Sequence, residues 1–178
     1  TVTTVTFKRI KDYVLSLKEK TDRKGVLVSP KELRGLLETS EISETSEVWT
    51  FTDAEMMTAV GHLETHGYVS ILHNSAGEQY ILLTPDLLVN IAASIMLLAD
   101  KNPKELGAIS ETELLKGKIA FDEIKGLEKA EQQILLDAAD LRFLEHNICF
   151  RDTFGNDTLL IFPSLIKQKR PLQQDEAP

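Results

Sequence analysis

The spacing of apolar residues along this chain predicts helices that alternate with short hairpins. Four segments carry apolar residues at intervals of three and four, which predicts helices. They are residues 5–20, 52–66, 84–98 and 127–145. Two pairs of β-prone runs, each joined by a glycine-containing turn, predict hairpins. They are residues 68–72 with 79–83, and 148–151 with 158–162. The pattern therefore predicts a helix-rich α+β fold.

Capping residues mark where several of these helices begin and end. A Ser or Thr three residues before a Glu is the pattern of a capping box. Three pairs have it: Ser29 with Glu32, Thr52 with Glu55, and Ser110 with Glu113. Gly67 and Asn147 follow the second and fourth helices, and both residue types favour the left-handed conformation that ends a helix.

The same order of segments occurs twice, and this repeat is the most informative feature of the sequence. The aligned segments are 66–69 with 146–149 at an offset of 80, and Gly77 with Gly155 and 85–88 with 163–166 at an offset of 78. Each copy has a helix, a hairpin, a proline and an apolar pair, which is the layout of a winged helix. We predict two tandem winged-helix units joined by an apolar helix. Chance similarity of two helix–hairpin segments in one α+β domain is the alternative.

The repeat divides the chain into three parts. The first winged-helix unit with its linking helix takes residues 5–103, the second takes 104–167, and 168–178 form a polar tail. A length of 178 residues suits two small domains. Because the sequence opens with Thr1 rather than Met, we expect it to be a piece of a longer protein.

Charge is distributed unevenly along the chain. Residues 1–34 hold nine basic and four acidic side chains, whereas the remaining 144 residues hold 11 basic and 24 acidic ones. The basic excess is consistent with solvated helix faces or with a docking face for an acidic partner. If it is a docking face, the candidate residues are Lys8, Arg9, Lys11 and Lys18 in the first helix.

The charges argue against nucleic-acid binding. Winged helices that bind DNA place a helix in the major groove and neutralise phosphates with Lys and Arg. The first candidate recognition helix, 52–66, contains no Lys or Arg and carries Asp53, Glu55 and Glu64. The second candidate recognition helix also has an acidic excess. We therefore expect no nucleic-acid partner.

No constellation of residues predicts catalysis, a bound cofactor or a metal. The nine glycines are scattered, and no Gly-x-x-x-x-Gly-Lys-Ser/Thr phosphate-binding loop is present. Cys149 is alone and falls in a predicted buried strand. His62 and His66 are four residues apart on one helix face, but Glu64 is misplaced for a zinc-peptidase motif. The prediction is a non-enzymatic chain with no catalytic, cofactor-binding or metal-binding residue.

The length of the apolar stretches and the number of cysteines indicate where in the cell the protein is expected. The longest apolar stretch, near 91–99, is far shorter than the roughly 20 residues of a membrane span. One cysteine cannot form an internal disulfide, which fits a reducing compartment. We expect a cytoplasmic protein without a membrane partner.

Several segments, taken in order, are similar to a known family. They are residues 63–71, 80–89, 107–115, 144–150 and 160–166. In this order they resemble the first part of the COR (C-terminal of Roc) domain of Roco proteins, over roughly residues 7–167. The resemblance implies a non-catalytic scaffold domain of a GTP- or ATP-binding signalling protein. It also implies a neighbouring Ras-like GTPase domain in the same chain, docked on the basic first helix.

Two other functions stay open at this point. One is a protein-interaction module of some other multisubunit complex, with no GTPase attached. The other is an acidic transcription regulator that binds DNA as an oligomer. A homodimer formed through segments outside this sequence is also left open.

Overall fold

The computed structural model describes residues 4–20, 25–40, 50–102 and 107–167. The chain splits into two compact units, Thr1–Pro85 and Asp86–Pro178. Residues 41–49, which are rich in Ser, Thr and Glu, and the expected polar tail at 168–178 lie outside the described residues.

Unit 1 has the element order of a winged helix. Its elements are α1 (Thr4–Glu19), β1 (Leu27–Val28), α2 (Pro30–Thr39), α3 (Asp53–Thr65), β2 (Ser70–His73) and β3 (Gln79–Leu82). The strands form an antiparallel sheet in the order β1-β3-β2, with Leu82 paired to both Leu27 and Ser70. Hairpin β2–β3 is the wing of this unit.

Local sequence and an apolar core together account for unit 1. The Ser29 side chain accepts a hydrogen bond from the Glu32 N–H, and Thr52 forms a complete capping box with Glu55, so α2 and α3 begin where predicted. The helices and the inner sheet face share one core, whose fully buried members include Ile10, Leu33, Met56, Leu63 and Ile81.

Unit 2 repeats this order and adds a terminal helix. Its elements are α4 (Asp86–Lys101), β4 (Ala108–Ser110), α5 (Glu111–Leu115), α6 (Lys129–Glu145), β5 (Phe150–Phe154), β6 (Asp157–Ile161) and α7 (Pro163–Lys167). The sheet order is β4-β6-β5, again antiparallel. The second wing is hairpin β5–β6. The prediction of two tandem winged-helix units is confirmed.

The apolar helix between the repeats is α4, and its packing assigns it to the second unit. α4 contacts β4 and α6, and the Gly107 N–H donates to the Ala99 carbonyl at 2.9 Å. The division therefore lies after Pro85, not at residue 103. An apolar stripe shows that a helix is buried, but it does not show which neighbour buries it.

Helix ends confirm the repeat at the residue level. His66 and His146 are the C-cap residues of α3 and α6. The following residues, Gly67 and Asn147, have φ of 79° and 56°, the left-handed conformation that both residue types tolerate. Asn147 takes the conformation that the sequence predicts for it.

The strands correct the register of the repeat by one residue. The Leu83 N–H donates to the Val26 carbonyl, and the Phe162 N–H donates to the Gly107 carbonyl, both at 2.8 Å. Leu83 therefore corresponds to Phe162, an offset of 79, whereas the prolines alone suggested 78. Thr84 separates Leu83 from Pro85, but Phe162 adjoins Pro163 directly, so the prolines mislead.

Candidate functional site

The four basic residues predicted to dock a partner do not form one uniform face of α1. Lys8 is exposed and Arg9 is half-buried. Adjacent residues project roughly 100° apart around a helix, so these two side chains leave it in different directions. Lys11 Nζ lies 3.1 Å from His62 Nδ1, and Lys18 Nζ donates to the Tyr68 carbonyl. Lys11 and Lys18 thus contact the end of α3 within unit 1, and a docking role for the four stays a prediction.

His62 and His66 lie side by side at the end of α3. Their Nε2 atoms are 3.3 Å apart. Partial burial lowers the pKa of His62, and the positive charges of Lys11 and His66 lower it further. Within the described parts of the chain, no group of three or more His, Cys, Asp or Glu side chains is placed to hold a metal ion.

The recognition helix of unit 1 presents polar and acidic side chains to solvent. Asp53, at the start of α3, pairs with Arg34 of α2 at 2.8 Å. Glu55 completes the capping box of α3. With no Lys or Arg in α3, this surface offers nothing that neutralises a phosphate.

Unit 2 holds an ionic triad beneath its wing. Arg151 on β5 reaches Glu111 on α5, with Nε 3.0 Å and 2.9 Å from the two carboxylate oxygens. Its Nη2 lies 3.6 Å from Asp140 Oδ2 on α6. The Glu111 residue is 7% exposed and Asp140 is 1% exposed. One guanidinium therefore ties the wing to two helices.

The environment of the triad shifts three pKa values. Burial, together with the neighbouring Glu111 carboxylate, raises the pKa of Asp140 to about 8. Within the described residues, neither Asp140 oxygen has a hydrogen-bond partner. The bond to Glu111 raises the pKa of Arg151, which stays charged. Burial, with Asp140 adding to it, raises the pKa of Cys149 to about 12. Cys149 is buried, as expected, and its thiol is protonated and inert.

The opposite face of the same strand carries two exposed aromatic rings with a carboxylate between them. Side chains alternate along a strand, so Arg151 and Thr153 face one side of the sheet while Phe150, Asp152 and Phe154 face the other. Phe150 is 49% exposed and Phe154 is 59% exposed. We call Phe150, Asp152 and Phe154 the outer wing face.

The second wing also has an open edge. β5 is the terminal strand of its sheet, pairing with β6 on one side within the described residues. The turn is two residues long, with Gly155 at φ 62°, so Phe154 and Asp157 flank it as a hydrogen-bonded pair. Thr153 and Thr158 are then a non-hydrogen-bonded pair, and the Thr158 N–H indeed donates to Thr112 Oγ1 instead. The main-chain groups of Arg151 and Thr153 therefore point to the open edge.

A second apolar surface lies on α4. A shallow groove of about 260 Å³ is lined by Leu97, Leu98, Phe121 and the Ser94–Glu123 pair, among others. The hydrogen bond from Ser94 lowers the pKa of Glu123, so a negative charge lines the groove. Polar and charged side chains interrupt its apolar lining, and we regard it as the weaker candidate.

Sequence reasoning missed the outer wing face. It placed the strand at 148–151 and assigned residues 152–157 to the turn, whereas β5 continues to Phe154. The alternation Phe150-Arg151-Asp152-Thr153-Phe154 before a Gly is the signal that predicts the longer strand.

Comparisons with known proteins complete the description. No protein family and no curated protein matches this chain. Among solved structures, VPS25, a subunit of the endosomal trafficking complex ESCRT-II, is 12% identical, with 90% of each chain covered and a TM-score of 0.48. A chain of the ESCRT-II complex (VPS22/VPS25/VPS36) is 16% identical over 92% of this chain and 66% of that chain, with a TM-score of 0.33.

A third structure, the C-terminal part of Stn1 from S. cerevisiae, is 13% identical over 86% of this chain and 94% of that one, with a TM-score of 0.24. All three TM-scores are below 0.5, so the winged-helix assignment rests on the element order and strand pairing of the chain itself. Within the described residues, no helix is long and apolar enough to cross a membrane.

Proposed function

We propose that this chain is a non-catalytic protein-interaction module that docks on a partner protein through its second wing. The observation that carries the proposal is the outer wing face. Two aromatic rings about half exposed on a single five-residue strand are costly in a soluble domain unless another protein covers them. Aromatic residues, Phe among them, are also enriched at protein interfaces relative to the rest of the surface.

The charges favour a protein partner over DNA. A DNA-binding winged helix needs cations on its recognition helix and its wing. α3 has none, and α6 sets two basic side chains against four acidic ones. Arg151, the basic residue of the β5–β6 wing, is held by Glu111 and Asp140. The DNA-binding alternative therefore lacks the side chains that it needs.

The COR resemblance suggests a finer version of this proposal. In it, the partner is a Ras-like GTPase domain of the same chain, which contacts Lys8, Arg9, Lys11 and Lys18. Reversing the charge of Lys8, Arg9 and Lys11 would then weaken docking, more so at low salt. The broader role, a module of some other multisubunit complex, agrees with the description of VPS25 as an ESCRT-II subunit. At these TM-scores that agreement adds no argument.

Site-specific photocrosslinking tests the proposal. The crosslinker benzoylphenylalanine replaces Phe154 in one variant and Ala76, at the exposed turn of the first wing, in a matched control. In cells that make the natural protein, we expect one discrete protein adduct from position 154, at least tenfold stronger than from position 76. Equal adducts from both positions, or none from 154, would contradict the proposal.

A DNA titration tests the competing function. Fluorescence anisotropy with a mixed-sequence duplex at low salt should show no binding tighter than about 100 µM, the weak end of ordinary non-specific affinity. Submicromolar binding would favour the transcription-regulator alternative instead.

A further inference from the structure

The open edge of β5 presents a regular set of main-chain groups that pair with no other strand in the part of the chain that the structure describes. Arg151 and Thr153 direct their N–H and C=O groups away from β6, and every residue of the strand is exposed. Edge strands of this kind accept an added strand from another chain, with the main-chain bonds giving affinity. Natural edges are often protected by charged side chains, but Arg151 is turned toward Glu111 and Asp140 and does not shield this one.

The residues of the outer wing face determine which side chains on an added strand would be complementary. Its order is aromatic, acidic, aromatic, in Phe150, Asp152 and Phe154. These three residues would lie directly opposite residues of the incoming strand, at non-hydrogen-bonded positions where side chains approach most closely. An added strand complements this order if it carries a basic residue between two apolar ones.

From this geometry we infer that the second wing binds an extended segment of a partner protein by strand addition, and that this segment carries Lys or Arg between two apolar residues at alternate positions. The inference rests on the proposed function and specifies the partner chemistry of the same surface.

A second copy of this chain fits the edge poorly. In the antiparallel arrangement centred on Asp152, Phe150 meets Phe154 of the second copy, but Asp152 meets Asp152. Like charges directly opposite each other destabilise a strand pair. Charge complementarity therefore favours a different protein with a basic residue at the centre.

The ionic triad prepares the wing for this partner. Arg151 fixes β5 against α5 and α6 before any partner arrives. A strand held in its binding conformation loses less conformational freedom on association than a mobile one.

Peptide selection tests the chemistry of the partner. Random ten-residue peptides displayed on phage are selected on the 178-residue chain and then measured against variants. We expect selected peptides to share the apolar-x-basic-x-apolar pattern and to bind Phe154→Asp at least tenfold more weakly. Val89→Asp, which changes an exposed apolar residue of α4, should bind them unchanged. Selected peptides without the pattern, equal binding to Phe154→Asp, or no selected peptide at all would overturn the inference.

A charge swap sharpens this test. Asp152 is exposed and makes no ion pair within the described residues, so Asp152→Lys should preserve the fold, which a thermal melt verifies. The variant should bind a peptide with Glu at the central position better than the same peptide with Lys. An unchanged preference for Lys would contradict the role of Asp152.

Amide hydrogen exchange distinguishes strand addition from simple side-chain docking. With a selected peptide bound, exchange at Arg151 and Thr153 should slow at least tenfold, because their N–H groups gain partners. Exchange at Phe150, Asp152 and Phe154, already bonded to β6, should change little. No slowing at Arg151 and Thr153 would exclude strand addition. If that occurred while position 154 still crosslinked to a protein, the proposed function would stand without this inference.

Discussion

The two wings have the same strand order and pairing, but they differ in the side chains that lie between each wing and its helices. Three structurally equivalent pairs show the difference: Pro30 and Glu111, Val60 and Asp140, Ile71 and Arg151. Unit 1 fills these positions with apolar side chains, whereas unit 2 fills them with an ionic triad. Burying charges costs desolvation energy that their attraction repays only in part. Unit 2 therefore holds its wing with a network that adds orientation rather than much stability.

The outer wing face and the equivalent face of β2 differ as well. Ser70 and Leu72 on β2 are buried, while their counterparts Phe150 and Asp152 on β5 are exposed. The second strand is one residue longer, and its turn shortens to Gly155 and Asn156. The repeat thus has one wing in which this strand face is buried and one in which it presents an aromatic surface.

Removing the cation of the triad should give the largest effect. Arg151→Ala leaves the buried Glu111 carboxylate without its counter-ion, and we expect a loss of about 3 kcal/mol in the free energy of unfolding. Denaturant unfolding at neutral pH measures it. The matched control, Lys129→Ala at the exposed start of α6, should change stability by less than about 0.5 kcal/mol. Equal losses of stability from Arg151→Ala and Lys129→Ala would show that the triad does not hold the wing to the helices.

Transplanting the residues of unit 1 should have a smaller effect of opposite sign. Glu111→Pro, Asp140→Val and Arg151→Ile together replace the triad with its apolar counterparts. Such replacements are often neutral or stabilising, and we expect between no change and a gain of about 2 kcal/mol. A thermal melt of the triple variant measures this. A large loss would mean that the ionic network contributes stability as well as orientation.

The third prediction concerns pH. The pKa of Asp140 is raised to about 8, so the folded state holds a proton that the unfolded state releases at a much lower pH. Its contribution to stability is complete below the unfolded pKa and is lost as pH rises through about 8. The stability advantage of Asp140→Asn, which cannot ionise, over the native chain should be about 2 kcal/mol larger at pH 6.5 than at pH 5, because each pH unit between the unfolded and folded pKa costs the native chain about 1.4 kcal/mol.

Unfolding curves at both pH values measure this difference. Glu145→Gln, at the exposed end of α6, serves as the control and should show no such trend. A constant difference between Asp140→Asn and the native chain at both pH values would contradict the raised pKa.

The smallest expected effect concerns a position where the units agree. Val69 and Cys149 are equivalent and both are buried. Cys149→Val makes unit 2 match unit 1 with little change in volume, so stability should shift by less than about 1 kcal/mol. Denaturant unfolding measures it. A larger loss of stability would show that the thiol makes a stabilising interaction in addition to filling space.

The sequence predicts what local interactions decide. Ser29, Thr52 and Ser110 begin helices by bonding residues three positions away, and Asn147 ends one by its own backbone preference, so each was predictable. The repeat then implied the winged-helix order. Hydrogen bonding between distant strands set the remaining details, including the one-residue correction at Phe162.

The candidate site escaped prediction because its contacts are distant in sequence. Arg151 and Glu111 are 40 residues apart, and the local sequence around either residue does not predict contact with the other. The aromatic surface also depends on where β5 ends. Period-two alternation over five residues is a weak signal beside a turn, so Phe154 was assigned to the turn rather than to the strand.

The most direct test of the account is the affinity of the chain for the protein crosslinked at position 154. Isothermal titration compares the native chain with Phe150→Ser combined with Phe154→Ser, and with Val89→Ser as the control. The account predicts that the double variant binds roughly 100-fold more weakly or worse, about tenfold for each buried ring, while the control is unchanged. Equal affinity of the native chain and the double variant would contradict the claim that the second wing is the interaction surface.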